Sequence, residues 1–257
     1  MSTYVPNSII SRFNRNETGV IPDEHFLTIY KKAVEVNKKT NGAFDITVAP
    51  IVNAWGFGYT EKNDADSAKI DSLLQYVGMD KLILEGKTIQ KKDPNVMFDF
   101  NAIAQGYSVD LVADFLESKG ISAYMVEIGG EIKAKGKNPK NSKWRIGIDR
   151  PIDNNVIPGA TLQNIIEISN YSLATSGNYR KFIEKEGRKY GHIINPKTGY
   201  PEYSNMLSVT VIAKDCMVAD AYATSFMVMG KDKTIEFLNN NRELEAYLIF
   251  SDDSGNF

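Results

Sequence analysis

With one cysteine in 257 residues, Cys216, this sequence has no means of closing an internal disulfide, and nothing in it resembles a thiolate metal cluster. It also lacks a charge excess. Its 30 basic and 32 acidic residues leave a net charge of −2, which excludes a sequence-wide pull toward nucleic acid or anionic lipid. No apolar run approaches the roughly 20 residues needed to span a bilayer. The start, Met1 to Asn14, is polar and charged rather than an apolar core behind basic residues, so no signal peptide or membrane anchor is read there. Histidine is scarce, and His25 and His192 are the two present.

What is there suits a large folded unit, 42% hydrophobic and 24% charged. Pro22 and Asp23 precede Phe26, Tyr30, Ala33 and Val34 at helical spacing, with Gly42 beyond, which predicts a helix running to about Thr40. Ile70, Leu73, Leu74 and Val77 predict a second, closed by Gly78. Glu85-Gly86-Lys87 sits between Lys81–Leu84 and Thr88–Gln90 as a hairpin turn would. Val96–Phe100 reads as a strand feeding a helix that carries Leu111, Val112, Phe115 and Leu116 and ends at Gly120. Further strands are expected at Tyr124–Ile128, Trp144–Ile148, Ile165–Ser169, His192–Ile194, Leu207–Ala213 and Ala246–Phe250, and a buried, small-residue helix at Ala219–Met229 with more helix at Ile235–Leu238. Hairpins outnumber strand-helix-strand units, so the fold class is α+β with largely antiparallel sheet. The polar stretches 135–143 and 153–159 are too short to separate independent domains, and the chain reads as a single domain over 1–257.

Several segments carry side chains suited to chemistry, each with an ordinary alternative. Gly42 to Pro50 and Trp55-Gly56-Phe57-Gly58 set aromatics beside glycines, which suits a flat ring and equally suits plain core packing. The Asp99 to Gly106 junction offers a carboxylate and helix-start amides, as a phosphate site does and as many empty turns do. Gly129-Gly130 fits the same description or a simple hairpin turn. His192, in a turn-rich run ending at Gly199, is able to accept a proton near neutral pH or merely to cap the turn. His25 falls on a surface helix and is given no role. Asp220 and Thr224, four residues apart on a helix, present two oxygens on one side. That suits a magnesium ion completed by phosphate and water, or a helix carboxylate and a hydroxyl bonded to the preceding turn.

Taken in order, these segments resemble the ApbE family, the FAD:protein FMN transferases, over nearly the whole chain: Ser2-Thr3-Tyr4 and Ser11-Arg12-Phe13-Asn14, Gly42 to Thr47, Trp55 to Gly58, Asp99 to Tyr107, Gly129-Gly130, Ala174 to Gly177, His192 to Gly199 and Ala219 to Thr224. The resemblance implies a flavin site in a cleft between two tightly joined lobes. It implies that Asp220, Thr224 and the main-chain carbonyl of Ala102 hold Mg²⁺ against the FAD pyrophosphate, and that Tyr4, Ala43, Phe44, Asp45, Asp99, Gln105 and Ile193 contact the flavin or nucleotide. It implies attack by an acceptor threonine or serine hydroxyl on the FMN-side phosphorus of FAD, with AMP leaving and His192 as base. The implied acceptor is a flavoprotein subunit of a membrane electron-transfer complex or a related protein, met in the periplasm or elsewhere outside the cytoplasmic membrane, where the family is often lipoprotein-anchored.

Two departures stand out. Position 105 is Gln where the family usually has lysine or glutamate, which turns any charge-based role into a neutral hydrogen bond. The chain also opens at the Ser-Thr-Tyr motif, so the family's usual leader and first elements are expected to be missing. Two other functions use the same residues: an Mg²⁺-dependent FAD pyrophosphatase that gives FMN and AMP, and a noncatalytic FAD-binding protein. The second has no need of a base.

Overall fold

The computed structural model describes residues 1–59, 65–152, 157, 159–179, 182–185 and 188–252. The chain divides into two compact units, residues 1–104 with 194–202, and residues 105–193 with 203–257. The expected polar loop at 153–159 lies largely outside the described residues.

The first unit is mostly helical. Helix α1 (Ile9–Asn14) is capped by Ser8, and α2 (Glu24–Lys39) by Asp23, whose carboxylate accepts from the Phe26 amide at 2.7 Å while Lys38 and Lys39 lie in the last turn. Both caps satisfy amides that a helix start leaves without partners. Short helices α3 (Ala49–Ala54) and α4 (Ser67–Leu74) follow, then the hairpin β1 (Leu82–Glu85) and β2 (Thr88–Lys91). Phe13, Phe26, Phe98 and Phe100 meet edge-on or stacked, with ring centroids 4.8–5.8 Å apart in the Phe26–Phe100, Phe13–Phe98, Phe26–Phe98, Phe13–Phe26 and Phe98–Phe100 pairs, and form an aromatic core.

Val96–Phe100 is not the strand expected from its alternating apolar residues. Its polar backbone is satisfied by other means. The Asn14 side chain donates to the Phe98 carbonyl at 2.9 Å and accepts from the Phe98 amide at 2.7 Å, in place of a neighbouring strand. The Asp99 amide donates to the Ile46 carbonyl, and the Lys91 ammonium caps the Val96 carbonyl. One isolated parallel bridge, Val48 to Met97, is all the ladder it has.

The second unit is built on a five-stranded antiparallel sheet in the order β11 (Glu245–Phe250), β10 (Met206–Ala213), β7 (Tyr171–Gly177), β4 (Glu131–Lys135), β3 (Tyr124–Ile128). A separate antiparallel pair, β5 (Trp144–Asp149) with β6 (Leu162–Ile168), contributes Ile146, Ile148 and Ile168 to a core that also takes Ile132, Leu173 and Ile249. A second core joins Val109 and Ala113 of α5 (Ala104–Ser118) to Tyr124, Val126 and Cys216. Helix α6 (Cys216–Asn240) packs on β7 and β10 through its alanines and breaks direction at Gly230, which takes φ +75°. Strands β8 (Phe182–Lys185) and β9 (Arg188–Gly191) form a small hairpin.

The strand expected at His192–Ile194 is absent too. Only Ile194 bridges, to Pro201, because the chain folds at once into a turn in which the Asn195 carbonyl accepts from Gly199 and its side chain accepts from Lys197. Strands β4 and β7, not expected, fill the middle of the main sheet. No described helix is long and apolar enough to cross a membrane.

Candidate active site

In the first unit the segments bearing Asp45 and Asp99 are brought together, since the Asp99 amide donates to the Ile46 carbonyl at 2.7 Å. Asp45 accepts from the Thr47 amide and hydroxyl at 2.8 and 2.5 Å, and that hydroxyl accepts from the Gly78 amide. Burial raises the Asp45 pKa above the ordinary carboxyl value, against the pull of these bonds. Asp99 is half-buried and accepts from the Asn101 amide at the turn before α5. Ala43 and Phe44 are core residues, as are Trp55 and Phe57. The Trp55 indole donates to the Gly199 carbonyl. Tyr4 is 56% exposed, in a turn held by Ser2, Ser8 and Ser11. Ala102 lies in this unit, in the turn preceding α5.

The second unit holds Gln105, His192, Ile193, Asp220 and Thr224. His192 is half-buried at a bend just after β9, and Ile193 is buried. Asp220 is 6% exposed. Its one described hydrogen bond comes from the Gly106 amide at 3.0 Å, a first-turn amide of α5 with no partner in its own helix. No described lysine, arginine or histidine pairs with it. Desolvation therefore outweighs the single bond and lifts its pKa to about 7. Gly106 is required by close approach rather than by dihedral, because a Cβ there would collide with the Cys216 carbonyl and crowd the Asp220 Cβ. One turn on, the Thr224 hydroxyl shares a 3.0 Å hydrogen bond with Ser176 of β7. The alternative in which Thr224 merely bonds its own preceding turn is not what this geometry shows.

Two functional-looking residues, Glu131 and Asp110, escaped the sequence reading. Glu131 sits just past the Gly129-Gly130 hairpin turn, whose glycines take φ +64° and +109°. Its pKa is raised to about 8, first by burial and then by the charge of Asp220. Gln105 donates to Glu131 at 2.5 Å and to the Ile128 carbonyl at 2.9 Å, so the Gln in place of a charge is a bonded amide. Asp110 accepts from the Cys216 and Met217 amides at 3.0 and 2.9 Å and pairs with Lys133 at 2.7 Å. It thus caps α6 from another helix, a job that Asp215, the residue in the cap position, does not do with its side chain. The signal for Glu131 was its place beside the paired glycines. Nothing local pointed to Asp110.

These residues fit a hard divalent cation. A buried carboxyl with no cation partner among the described residues and a hydroxyl one turn away form an oxygen-only donor set. Among the described residues no cluster of three His, Cys, Asp or Glu is placed to hold a metal alone.

The fold and this donor set define an α+β protein with a candidate cation site. The chain belongs to the ApbE family, whose family model matches residues 1–248. An FAD:protein FMN transferase of Vibrio cholerae is 40% identical over 257 residues, covering 98% of this chain and 76% of that protein. The solved structure titled flavin transferase ApbE from Vibrio cholerae matches with a TM-score of 0.89 over 99% of this chain and 81% of that one. The ApbE protein of Thermotoga maritima, 28% identical, matches with a TM-score of 0.86 over 97% of this chain and 81% of that one. The α+β fold with antiparallel sheet is thus the family's.

Proposed function

We propose that this protein is a magnesium-dependent flavin transferase, which moves FMN from FAD to a threonine or serine hydroxyl of an acceptor flavoprotein and releases AMP. The observation that carries this reading is the buried Asp220 carboxyl, with no cation partner among the described residues and one turn from Thr224, in a chain of the ApbE family. The name of the Vibrio cholerae relative supplies the reaction class.

The acceptor oxygen bonds to the FMN-side phosphorus, the bond from that phosphorus to the AMP phosphate breaks, and the hydroxyl proton passes to a base. His192 is that base. Histidine is the residue type suited to moving a proton near neutral pH. Asp220, Thr224 and the Ala102 carbonyl would hold Mg²⁺, which when bound supplies positive charge to the pyrophosphate. Tyr4, Ala43, Phe44, Asp45, Asp99 and Ile193 contact the flavin or nucleotide, largely through backbone, and Gln105 contributes a neutral hydrogen bond. The acceptor is a subunit of a membrane electron-transfer complex or a related flavoprotein, met outside the cytoplasmic membrane.

The test is incubation with FAD, Mg²⁺ and a bacterial flavoprotein acceptor domain, following AMP release and acceptor mass. The expected result is AMP together with an acceptor heavier by one flavin phosphate. AMP with free FMN instead means a pyrophosphatase, and no product means a carrier. His192→Ala slows transfer by roughly 10²–10⁴. Asp220→Ala abolishes metal-dependent turnover while the fold persists, and full activity in that variant removes the metal assignment.

A further inference from the structure

Residues 105 and 106 tie one end of α5 to two other elements at once. The Gly106 amide holds Asp220 of α6, and the Gln105 side chain holds the β3–β4 hairpin through the Ile128 carbonyl and the Glu131 carboxyl. Both ends of this chain of contacts are sterically closed. A Cβ on Gly106 would strike the Cys216 carbonyl, and a Cβ on Gly129 would strike the Gln105 amide nitrogen. Glu131, like Asp220, has no cation partner among the described residues, and its hydrogen bonds go to Gln105 and to its own backbone.

We infer that Glu131 is a positioning residue: by gripping Gln105 it fixes the first turn of α5, and through the Gly106 amide it holds the Asp220 carboxyl in the orientation that receives the metal. This rests on the reading of Asp220 as a metal ligand. Groups that orient a ligand are worth about 10–100-fold in metal affinity. The amide of Gln105 requires an oxygen acceptor and not a negative charge, so Glu131→Gln preserves the grip whereas Glu131→Ala removes it.

The experiment titrates Mn²⁺ into the full chain with FAD present and follows free Mn²⁺ by its solution electron paramagnetic resonance signal. Glu131→Ala is expected to weaken Mn²⁺ retention about tenfold or more, and Glu131→Gln to stay within about threefold of the parent. Gln105→Ala matches Glu131→Ala, and the double variant is no weaker than either alone, as groups acting in series require. Melting curves taken alongside show whether each variant is folded, and the Gln105→Ala arm serves if Glu131→Ala is not. Parental affinity in Glu131→Ala, or a Glu131→Gln loss as large as that of Ala, overturns the inference while Asp220→Ala still loses the ion. If Asp220→Ala binds Mn²⁺ like the parent, the metal reading falls and takes this inference with it.

Discussion

At the scale of single residues the site is governed by what Asp220 has beside it and what it does not. A carboxylate buried with one amide donor is poorly compensated, and the helix-start amide of Gly106 offsets only part of the desolvation. That amide is available because position 106 carries no side chain. Gly106→Ala drives a methyl group into the Cys216 carbonyl and the Asp220 Cβ, so α5 and α6 must separate. The expected loss is about 1–3 kcal/mol, the range for overpacking a close contact, read as a lower urea midpoint with an unchanged slope. A parental midpoint would mean the helices separate freely.

Among elements, the mutual placement of α5 and α6 depends on a cap supplied across the fold. Asp110 satisfies the first two amides of α6 and neutralises the half-buried Lys133 ammonium, whose pKa is raised because these bonds outweigh its desolvation. Asp110→Ala strands two amides and leaves the Lys133 ammonium with Asp215 at 3.7 Å, and is expected to lower unfolding free energy by about 3–5 kcal/mol by chemical denaturation. Asp110→Asn keeps an acceptor and loses less. Equal losses in the two would show that the charge, not the cap, matters. Such an arrangement is invisible to helix-capping rules, which look at the residues flanking the helix itself. The same blindness explains Val96–Phe100, where the strand pattern is real but Asn14, over eighty positions away, takes the place of a neighbouring strand. It also explains β7, in which Ser172, Thr175 and Ser176 dilute an apolar signal while their hydroxyls find partners in Lys214, Thr210 and Thr224.

For the whole molecule, pH and metal ought to act on stability through the same groups. Asp220 at about 7 and Glu131 at about 8 titrate above their unfolded values, so the folded protein keeps protons that the unfolded chain gives up from about pH 4 upward. Their contribution is full below the ordinary carboxyl range and is lost as pH rises through 8. Nearby Asp110 and Lys133 are engaged with each other, leaving no cation among the described residues to reverse the trend. With chelator present, the melting temperature is therefore expected to fall between pH 5 and 8, less steeply in Asp220→Asn. Added Mg²⁺ raises it more at pH 8 than at pH 5, because the ion favours the ionised carboxyl. A pH-independent metal effect would speak against this linkage.

Legible in the sequence were the fold class, most helices, the first hairpin, the order of motifs that marks the family, and the Asp220–Thr224 spacing, because periodicity, turn chemistry and helical geometry are local properties. It took the folded chain to show that Asp220 is buried against the Gly106 amide, that Gln105 answers to Glu131, and that Asp110 caps a helix it does not belong to. Burial and partner choice depend on residues distant in the chain, and the energy of a carboxyl is set by what surrounds it rather than by what precedes it.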